Sequence, residues 1–321
     1  MISVVLCTYN GRAFVEEQLE SILTQSRAPD EVLVFDDGST DGTQALVQAW
    51  GDRHLQIQFH QNPVRLGYAR NFEQALLKSR GTWVFLSDQD DRWYPKRVET
   101  LLQNAGNAHL VYGDARIWHP EQSSTETLFT QFPKRRRTPT DSEVGEALRK
   151  PGVKGCQMAV RRSLIEACFP APAAALERWG HDHWLWVHAL ALGSIRSVDQ
   201  VLMDHRIHSA NTSGRIRTSW IRLGQRKWKD LLGQEPGFWL QRYASLRPWL
   251  KHPEANAAWK GALTQQLAFE EARERAVAHR DIRGWWQLVS KSQYAQFSFG
   301  YSAALGDLWR MFGNRTSNPV A

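Results

Sequence analysis

The feature that most constrains this chain is a change of hydrophobic period that repeats through its first 115 residues. Short, nearly continuous apolar runs at 2–7, 31–35, 55–59, 83–86 and 109–112 read as strands; the stretches between them at 13–23, 43–50 and 69–79 read as helices. A strand that is apolar on both faces is one whose sheet is covered on both sides. Alternation of such strands with helices predicts an α/β fold: a Rossmann-like, mostly parallel sheet built from βαβ units and flanked by helices. Residues 119–141 then read as a polar excursion carrying Lys134-Arg135-Arg136-Arg137. For that basic run a solvated mobile loop is expected, with contact to an acceptor or a phosphate as the alternative. Pattern resumes with a helix at 142–149, a strand at 157–160, a Pro-rich interruption at 169–174, an amphipathic helix at 182–192 and a strand or hairpin at 195–207. From about residue 218 the chain reads as helical, and the best single cut falls near 212–220.

Composition narrows the class. Across 321 residues, 42% hydrophobic and 23% charged side chains exclude a disordered chain, a fibre or a small disulfide scaffold. Cys7, Cys156 and Cys168 are an odd number at spacings that suit neither a bridge framework nor zinc, and they read as small buried hydrophobes in a reducing compartment. No window nears the roughly 18–20 uninterrupted apolar residues of a membrane span. The first residues carry no basic leader, so a cytoplasmic location is expected. Net charge is +7, but residues 1–214 hold 23 Lys+Arg against 25 Asp+Glu, whereas 215–321 hold 17 against 8 with 8 of the 15 Trp. The division predicts a near-neutral region that does chemistry, followed by a basic, Trp-rich region that meets an anionic surface.

Three acidic clusters stand where open α/β sheets bind ligands, at strand ends. Asp36-Asp37-Gly38-Ser39-Thr40-Asp41 follows the run at 31–35; one carboxylate would serve as a helix cap, and a second needs another explanation. Asp88, Asp90 and Asp91 crowd the end of the run at 83–86, and like charges this close repel unless a cation neutralises them. Hard divalent ions, Mn²⁺ or Mg²⁺, take oxygen ligands from carboxylates and substrate phosphates. Asp182, at a helix start between His181 and His183, suits a general base and equally an ordinary N-terminal helix residue. No Gly-x-Gly-x-x-Gly, Walker loop or Gly-x-Ser-x-Gly elbow is present.

In this order the clusters resemble the family 2 glycosyltransferases with the GT-A fold, in particular bacterial rhamnosyltransferase-like members. Cys7-Thr8-Tyr9-Asn10-Gly11, the helix Gln18 to Ser26, and Asp36-Asp37-Gly38-Ser39-Thr40-Asp41 match the family's opening segments. Asn62, Leu66-Gly67 and Ala69-Arg70-Asn71-Phe72 follow, then Ser87-Asp88-Gln89-Asp90-Asp91 with Trp93, which resembles its Asp-x-Asp element. Gly155-Cys156-Gln157-Met158-Ala159 is similar to the acceptor-side segment, His181-Asp182 to the base position, and the stretch from His205 to Ser213 to the Tyr-Arg-x-His segment, with His205 in place of Tyr. The likeness covers roughly residues 1–214.

The resemblance implies an inverting, metal-dependent transfer of a sugar from a UDP- or dTDP-linked donor to the hydroxyl of a glycan or lipid-linked glycan in surface polysaccharide synthesis. Carried over, it places Thr8, Tyr9, Asp37 and Arg70 at the nucleotide base with Asp36 close by, and Asp88 at the ribose. Asp90 would bind Mn²⁺ or Mg²⁺, joined by Asp88, Asp91 and His208. Asp182 would be the base, with Gly155, Cys156, His181 and Trp184 on the acceptor side. The division expected is a transferase domain at 1–214, with its nucleotide part at 1–115 and acceptor part at 142–214, and a helical region at 215–321. That helical region suits either core packing or a peripheral place on the inner membrane face, with Trp at headgroup depth. A nucleotidyltransferase would want a Gly- and Lys-rich triphosphate loop that residues 7–12 do not form; a silent glycan-binding or nucleic-acid-binding relative is the other alternative.

Overall fold

A computed structural model describes residues 1–119, 125–133, 137–150, 153–208, 236–298 and 301–312. By its contacts the chain divides into two compact units, Met1–Thr140 with Pro151–Arg215, and Asp141–Lys150 with Ile216–Ala321.

The first unit runs β1 (Ile2–Thr8), α1 (Val15–Leu23), β2 (Glu31–Asp36), α2 (Thr43–Gly51), β3 (Ile57–Gln61), α3 (Tyr68–Lys78), β4 (Trp83–Asp88), β5 (Arg92–Trp93), α4 (Arg97–Ala105), β6 (Leu110–Trp118) and α5 (Leu128–Gln131). After α6 (Val144–Arg149), which belongs to the second unit, come β7 (Met158–Arg161), α7 (Arg162–Cys168), α8 (Ala173–Trp179), α9 (His181–Ala191) and β8 (Ile195–Arg206). One eight-stranded sheet has the order β3-β2-β1-β4-β7-β6-β8-β5. Its first four strands pair in parallel. Val4, Val5 and Leu6 at its centre are fully buried, as a strand apolar on both faces must be. Beyond β4 the sheet is mixed: β7 runs antiparallel between β4 and β6, β6 and β8 are parallel, and β5 closes the edge antiparallel to β8.

Parallel pairing aligns the carboxyl ends of β1, β2 and β4, so Thr8 lies beside Asp36 and Cys7 beside Asp88. The first and second acidic clusters therefore emerge along one edge. Within the excursion, the described residues 125–133 are tethered to the sheet. Leu128 and Phe129 are buried, Phe129 N–H donates to Asp114 Oδ1 at 2.9 Å, and Thr127 caps α5 through Thr130 N–H at 3.1 Å. Lys134, Arg135 and Arg136 lie outside the described residues, as do Trp220 and Trp228. The helix read at 142–149, expected in the acceptor part, instead packs as α6 against Ala257–Ala278.

The second unit contains helices Pro236–Ala244, Ala257–Ala278, Ile282–Ser290, Gln293–Phe297 and Tyr301–Phe312. Phe269, Trp285, Leu288, Tyr294, Ala304 and Met311 form part of its core. A buried charge network crosses that core. Arg273 grips Asp307 with two bonds, at 2.5 and 3.0 Å, and Tyr294 OH donates to Asp307 at 2.8 Å. Glu270 stands 3.3 Å from Arg273; its burial pushes its carboxyl up to about 7 against the pull of that cation, which Asp307 holds more closely. Of the Trp residues here, Trp249, Trp259 and Trp285 are buried, while Trp286 and Trp309 are exposed.

Candidate active site

At the end of β2 the two carboxylates hold the chain together. Asp36 is fully buried and accepts from Thr8 Oγ1 (2.8 Å), Ser39 Oγ (2.5 Å), Ser39 N–H (2.8 Å), Gly38 N–H (3.1 Å) and Gln44 Nε2 (3.0 Å). Asp37 accepts from Asn62 Nδ2 (3.0 Å), Leu66 N–H (2.7 Å) and Gly67 N–H (2.8 Å), which pins the loop entering α3. These bonds answer why two adjacent acids are present: one builds the turn after β2, the other seats the next loop. Tyr9 is exposed at the same edge; Gln89 bonds its backbone N–H and carbonyl at 2.9 and 3.0 Å, and the Arg65 guanidinium lies 3.8 Å from its ring centroid. Arg70 pairs with Glu73 and donates to Ala171 O at 3.3 Å.

Beyond β4, Asp88, Asp90 and Asp91 offer oxygens that all lie within 4.8 Å of one another. Their charges compete. Burial first, then Asp91 and Asp90, pushes the Asp88 carboxyl up to about 7; burial and Asp91 raise that of Asp90 despite a bond from His208. His208 Nε2 lies 2.7 Å from Asp90 Oδ2, and its ring stacks on Phe14 at 4.5 Å. Asp91 is fully buried, with Oδ1 held by His205 Nδ1 (3.0 Å) and Arg206 N–H (3.2 Å), while among the described residues its buried Oδ2 has no hydrogen-bond partner. Three crowded carboxylates, of which Asp88 and Asp90 have raised affinity for protons, and a buried Asp91 oxygen lacking a donor among the described residues fit a bound cation. Asp88 and Asp90 are the less buried pair, so they are the ones placed to meet a diphosphate as well.

Asp182 sits in the first turn of α9, where the helix dipole favours an anion. Its Oδ1 accepts from His183 N–H at 2.8 Å. Gly180 precedes the helix with φ +73°; a Cβ there would lie 3.2 Å from Asp182 Oδ1 and 3.4 Å from Tyr68 OH. The His181 ring is buried, stacks on Phe72 at 3.9 Å, and has no hydrogen-bond partner for either nitrogen among the described residues. Burial lowers its pKa, so the ring is held neutral even beside Asp182. Trp184, expected on the acceptor side, is buried and its indole N–H donates to Cys168 O at 2.8 Å; its part is packing.

A single 3₁₀ turn, Gly155–Gln157, joins the two acidic regions. A Cβ on Gly155 would come within 2.8 Å of His181 Nε2 and 3.4 Å of Asp182 Cβ. The next residue, Cys156, places its sulfur within 4.8 Å of an Asp91 oxygen and a His205 nitrogen. Segments far apart in sequence thus flank one turn. Arg97, fully buried, fixes that turn by donating to Cys156 O at 2.7 Å.

Asp204 carries no signal in the sequence, whereas Arg206 lies in the stretch from His205 to Ser213. Asp204 on β8 is buried among Arg92, Arg116 and Tyr94; burial alone would raise its carboxyl, but hydrogen bonds from Arg116, Tyr94 and Arg92 hold it below the usual range. Arg206 donates to Asp90 O at 2.9 Å and pairs with Glu17. The pairing of β8 with β5 sets Asp204 beside Arg92, and its pairing with β6 sets Asp204 beside Arg116.

Known proteins agree with this architecture. The UDP-Glc:alpha-D-GlcNAc-diphosphoundecaprenol beta-1,3-glucosyltransferase WfgD of Escherichia coli is 23% identical over 237 residues, 73% of this chain and 85% of WfgD. An uncharacterized glycosyltransferase of Nostoc sp. is 25% identical over 217 residues, 65% of this chain, and the chain spans 66% of that relative's length. Staphylococcus aureus TarS, solved with UDP, superposes with TM-score 0.55 at 13% identity, covering 98% of this chain and 91% of that one. A mannosyltransferase of Pyrobaculum calidifontis, solved with GDP-Man and Mn²⁺, gives 0.52 at 16% identity, covering 98% and 88%. These neighbours share the GT-A fold. Residues 3–169, more than half of the chain, match the family described as Glycosyl transferase family 2, and the chain belongs to that family.

Proposed function

We propose that this chain is an inverting, divalent-cation-dependent glycosyltransferase that moves a sugar from a UDP- or dTDP-linked donor to a hydroxyl of a glycan or lipid-linked glycan, at the inner face of the cytoplasmic membrane, in bacterial surface polysaccharide synthesis. The observation that carries this reading is the turn Gly155–Gln157, with Asp182 on one side and the Asp88–Asp90–Asp91 cluster on the other. The name of WfgD, which specifies a UDP-linked donor and an acceptor on diphosphoundecaprenol, supports the donor series and the acceptor class.

Asp88, Asp90, Asp91 and His208 would hold Mn²⁺ or Mg²⁺. When bound, such an ion supplies positive charge opposite the departing diphosphate. The chain's own groups do the rest. Tyr9 offers an exposed aromatic face to a pyrimidine, which would extend or replace its stack with Arg65, and Thr8, Asp37 and Arg70 shape the surrounding wall. Asp182 Oδ2, not engaged by the bond that His183 makes to Oδ1, takes the proton of the acceptor hydroxyl. As it does so the acceptor oxygen bonds to the anomeric carbon and the bond from that carbon to the diphosphate oxygen breaks. Attack opposite the leaving group inverts the centre, the geometry of the inverting hydrolases with the acceptor in place of water. His181, buried and neutral beside Asp182, leaves the carboxylate as the basic group at this end of the site.

Calorimetry with UDP, dTDP, GDP, CMP and ADP, with and without Mn²⁺, tests the reading. Mn²⁺-dependent binding of UDP or dTDP alone is expected. Tight binding that ignores the metal, or none of any nucleotide, would overturn it.

A further inference from the structure

The second unit presents apolar side chains on its outside in a regular arrangement. Leu305, Trp309 and Phe312 fall four and then three residues apart on helix Tyr301–Phe312, so they form one stripe. Ile282 and Trp286, four apart, do the same on Ile282–Ser290. All five are between 45% and 61% exposed. The opposite faces of these helices build the core through Trp285, Leu288, Ala304 and Met311, and Trp285 Nε1 donates to Ala304 O at 3.1 Å. The two helices are therefore neighbours, and the residues next to that contact, Trp286 and Leu305, belong to the two stripes. Single exposed apolar residues are ordinary, but stripes on adjacent helices, two of their members Trp, mark an interaction surface.

Charge identifies the partner. Arg280 just before helix Ile282–Ser290, Arg283 on it and Lys291 just after it are exposed, as is Arg275 near the end of the preceding helix Ala257–Ala278. Residues 275–312 contain two acids. Asp281 caps its helix through Gly284 N–H at 3.0 Å, and Asp307 is buried with Arg273. A second copy meeting this face would bring mostly cations against cations, with Asp281 the one exposed acid of this stretch to answer them, whereas a bilayer with anionic lipids offers phosphates to the cations and an apolar layer to the stripes. Trp suits the boundary between the two, with an apolar body and one polar N–H. No helix among the described residues is long and apolar enough to cross a membrane, so the contact would lie in the interface plane.

We infer that the Ile282–Trp286 and Leu305–Trp309–Phe312 stripes are a docking face for an anionic bilayer. The inference rests on the proposed membrane-side acceptor and specifies which surface meets the lipid. Its test is flotation of the full chain with phosphatidylglycerol-containing and pure phosphatidylcholine vesicles, beside the triple variant Trp286→Ser, Leu305→Ser, Trp309→Ser and the control Leu55→Ser, an exposed apolar residue of the first unit. The full chain and the control are expected to float with the anionic vesicles only, and the triple variant to partition about tenfold or more weakly. Far-UV circular dichroism and Mn²⁺-dependent nucleotide binding should be unchanged, since all three positions are exposed. Equal flotation of variant and full chain would overturn the assignment of this face while leaving a membrane location standing. Flotation of neither would overturn the lipid contact itself; transfer to a polyprenyl-diphosphate acceptor in detergent then reads the acceptor class separately. A dimer by light scattering that the triple variant abolishes, with flotation unaltered, would make the face a contact between copies and overturn the inference as well.

Discussion

Asp182 and Asp90 have opposite tasks, one taking a proton and the other holding a cation, and their substitutions should separate. Asp182→Asn is expected to lower the transfer rate about 10²–10⁴-fold, the usual range for a general base, while donor binding measured by calorimetry stays near wild type. Asp90→Asn should abolish the Mn²⁺ dependence of nucleotide binding in the same assay, because it removes both a carboxylate and the partner of His208. Gly155→Ala places a methyl 2.8 Å from His181 Nε2 and displaces the ring beside Asp182, so its transfer rate should fall with nucleotide affinity largely retained. At this scale the sequence shows crowding but not partners. The repulsion among Asp88, Asp90 and Asp91 can be read from their spacing. That Asp36 is spent on five donors, and that buried Asp204 anchors the strand carrying Arg206, requires knowing which side chains meet in space.

The elements that frame the site differ in how much room their backbones leave. Gly81, just before β4, would put a Cβ 2.6 Å from Ser3 N and 2.8 Å from Trp83 O, backbone atoms that cannot turn aside. Gly81→Ala should therefore destabilise the first unit by roughly 1–3 kcal/mol, read as a lower thermal midpoint. Gly261, inside helix Ala257–Ala278, has nothing within 4 Å of such a Cβ, and Gly261→Ala should stabilise its unit by about 0.5–1 kcal/mol through helix propensity. The strands and helices up to β4 were legible because short, nearly continuous apolar runs and a 3.6-residue period differ sharply over their lengths. Helices α7 and α8 were not, as short elements beside a Pro-rich stretch give too few turns for a period. The direction of β7 was equally hidden, since strand direction is set by how the chain returns to the sheet.

For the molecule as a whole, two units imply two stability profiles, and Glu270 makes that of the helical unit depend on pH. Its carboxyl is pushed up to about 7 in the folded chain against about 4.5 when unfolded, so between these values the folded chain binds a proton that the unfolded chain does not. Stability then falls as pH rises through this window and levels off above about 7. The thermal midpoint of this unit should drop across that range, and Glu270→Gln should flatten the slope. The sequence by itself determined the α/β class, the strand ends at which ligands gather, the carboxylate cluster and the concentration of positive charge and Trp in the last third; all are local, carried by periodicity, spacing and composition. The tertiary structure alone decided that β7 inserts antiparallel, that α6 belongs to the second unit, that Gly155–Gln157 links Asp182 to the Asp88–Asp90–Asp91 cluster, and which Trp side chains are core and which face outward. Each of these is a contact between segments distant along the chain, fixed by the packing of whole elements, and no local pattern encodes it.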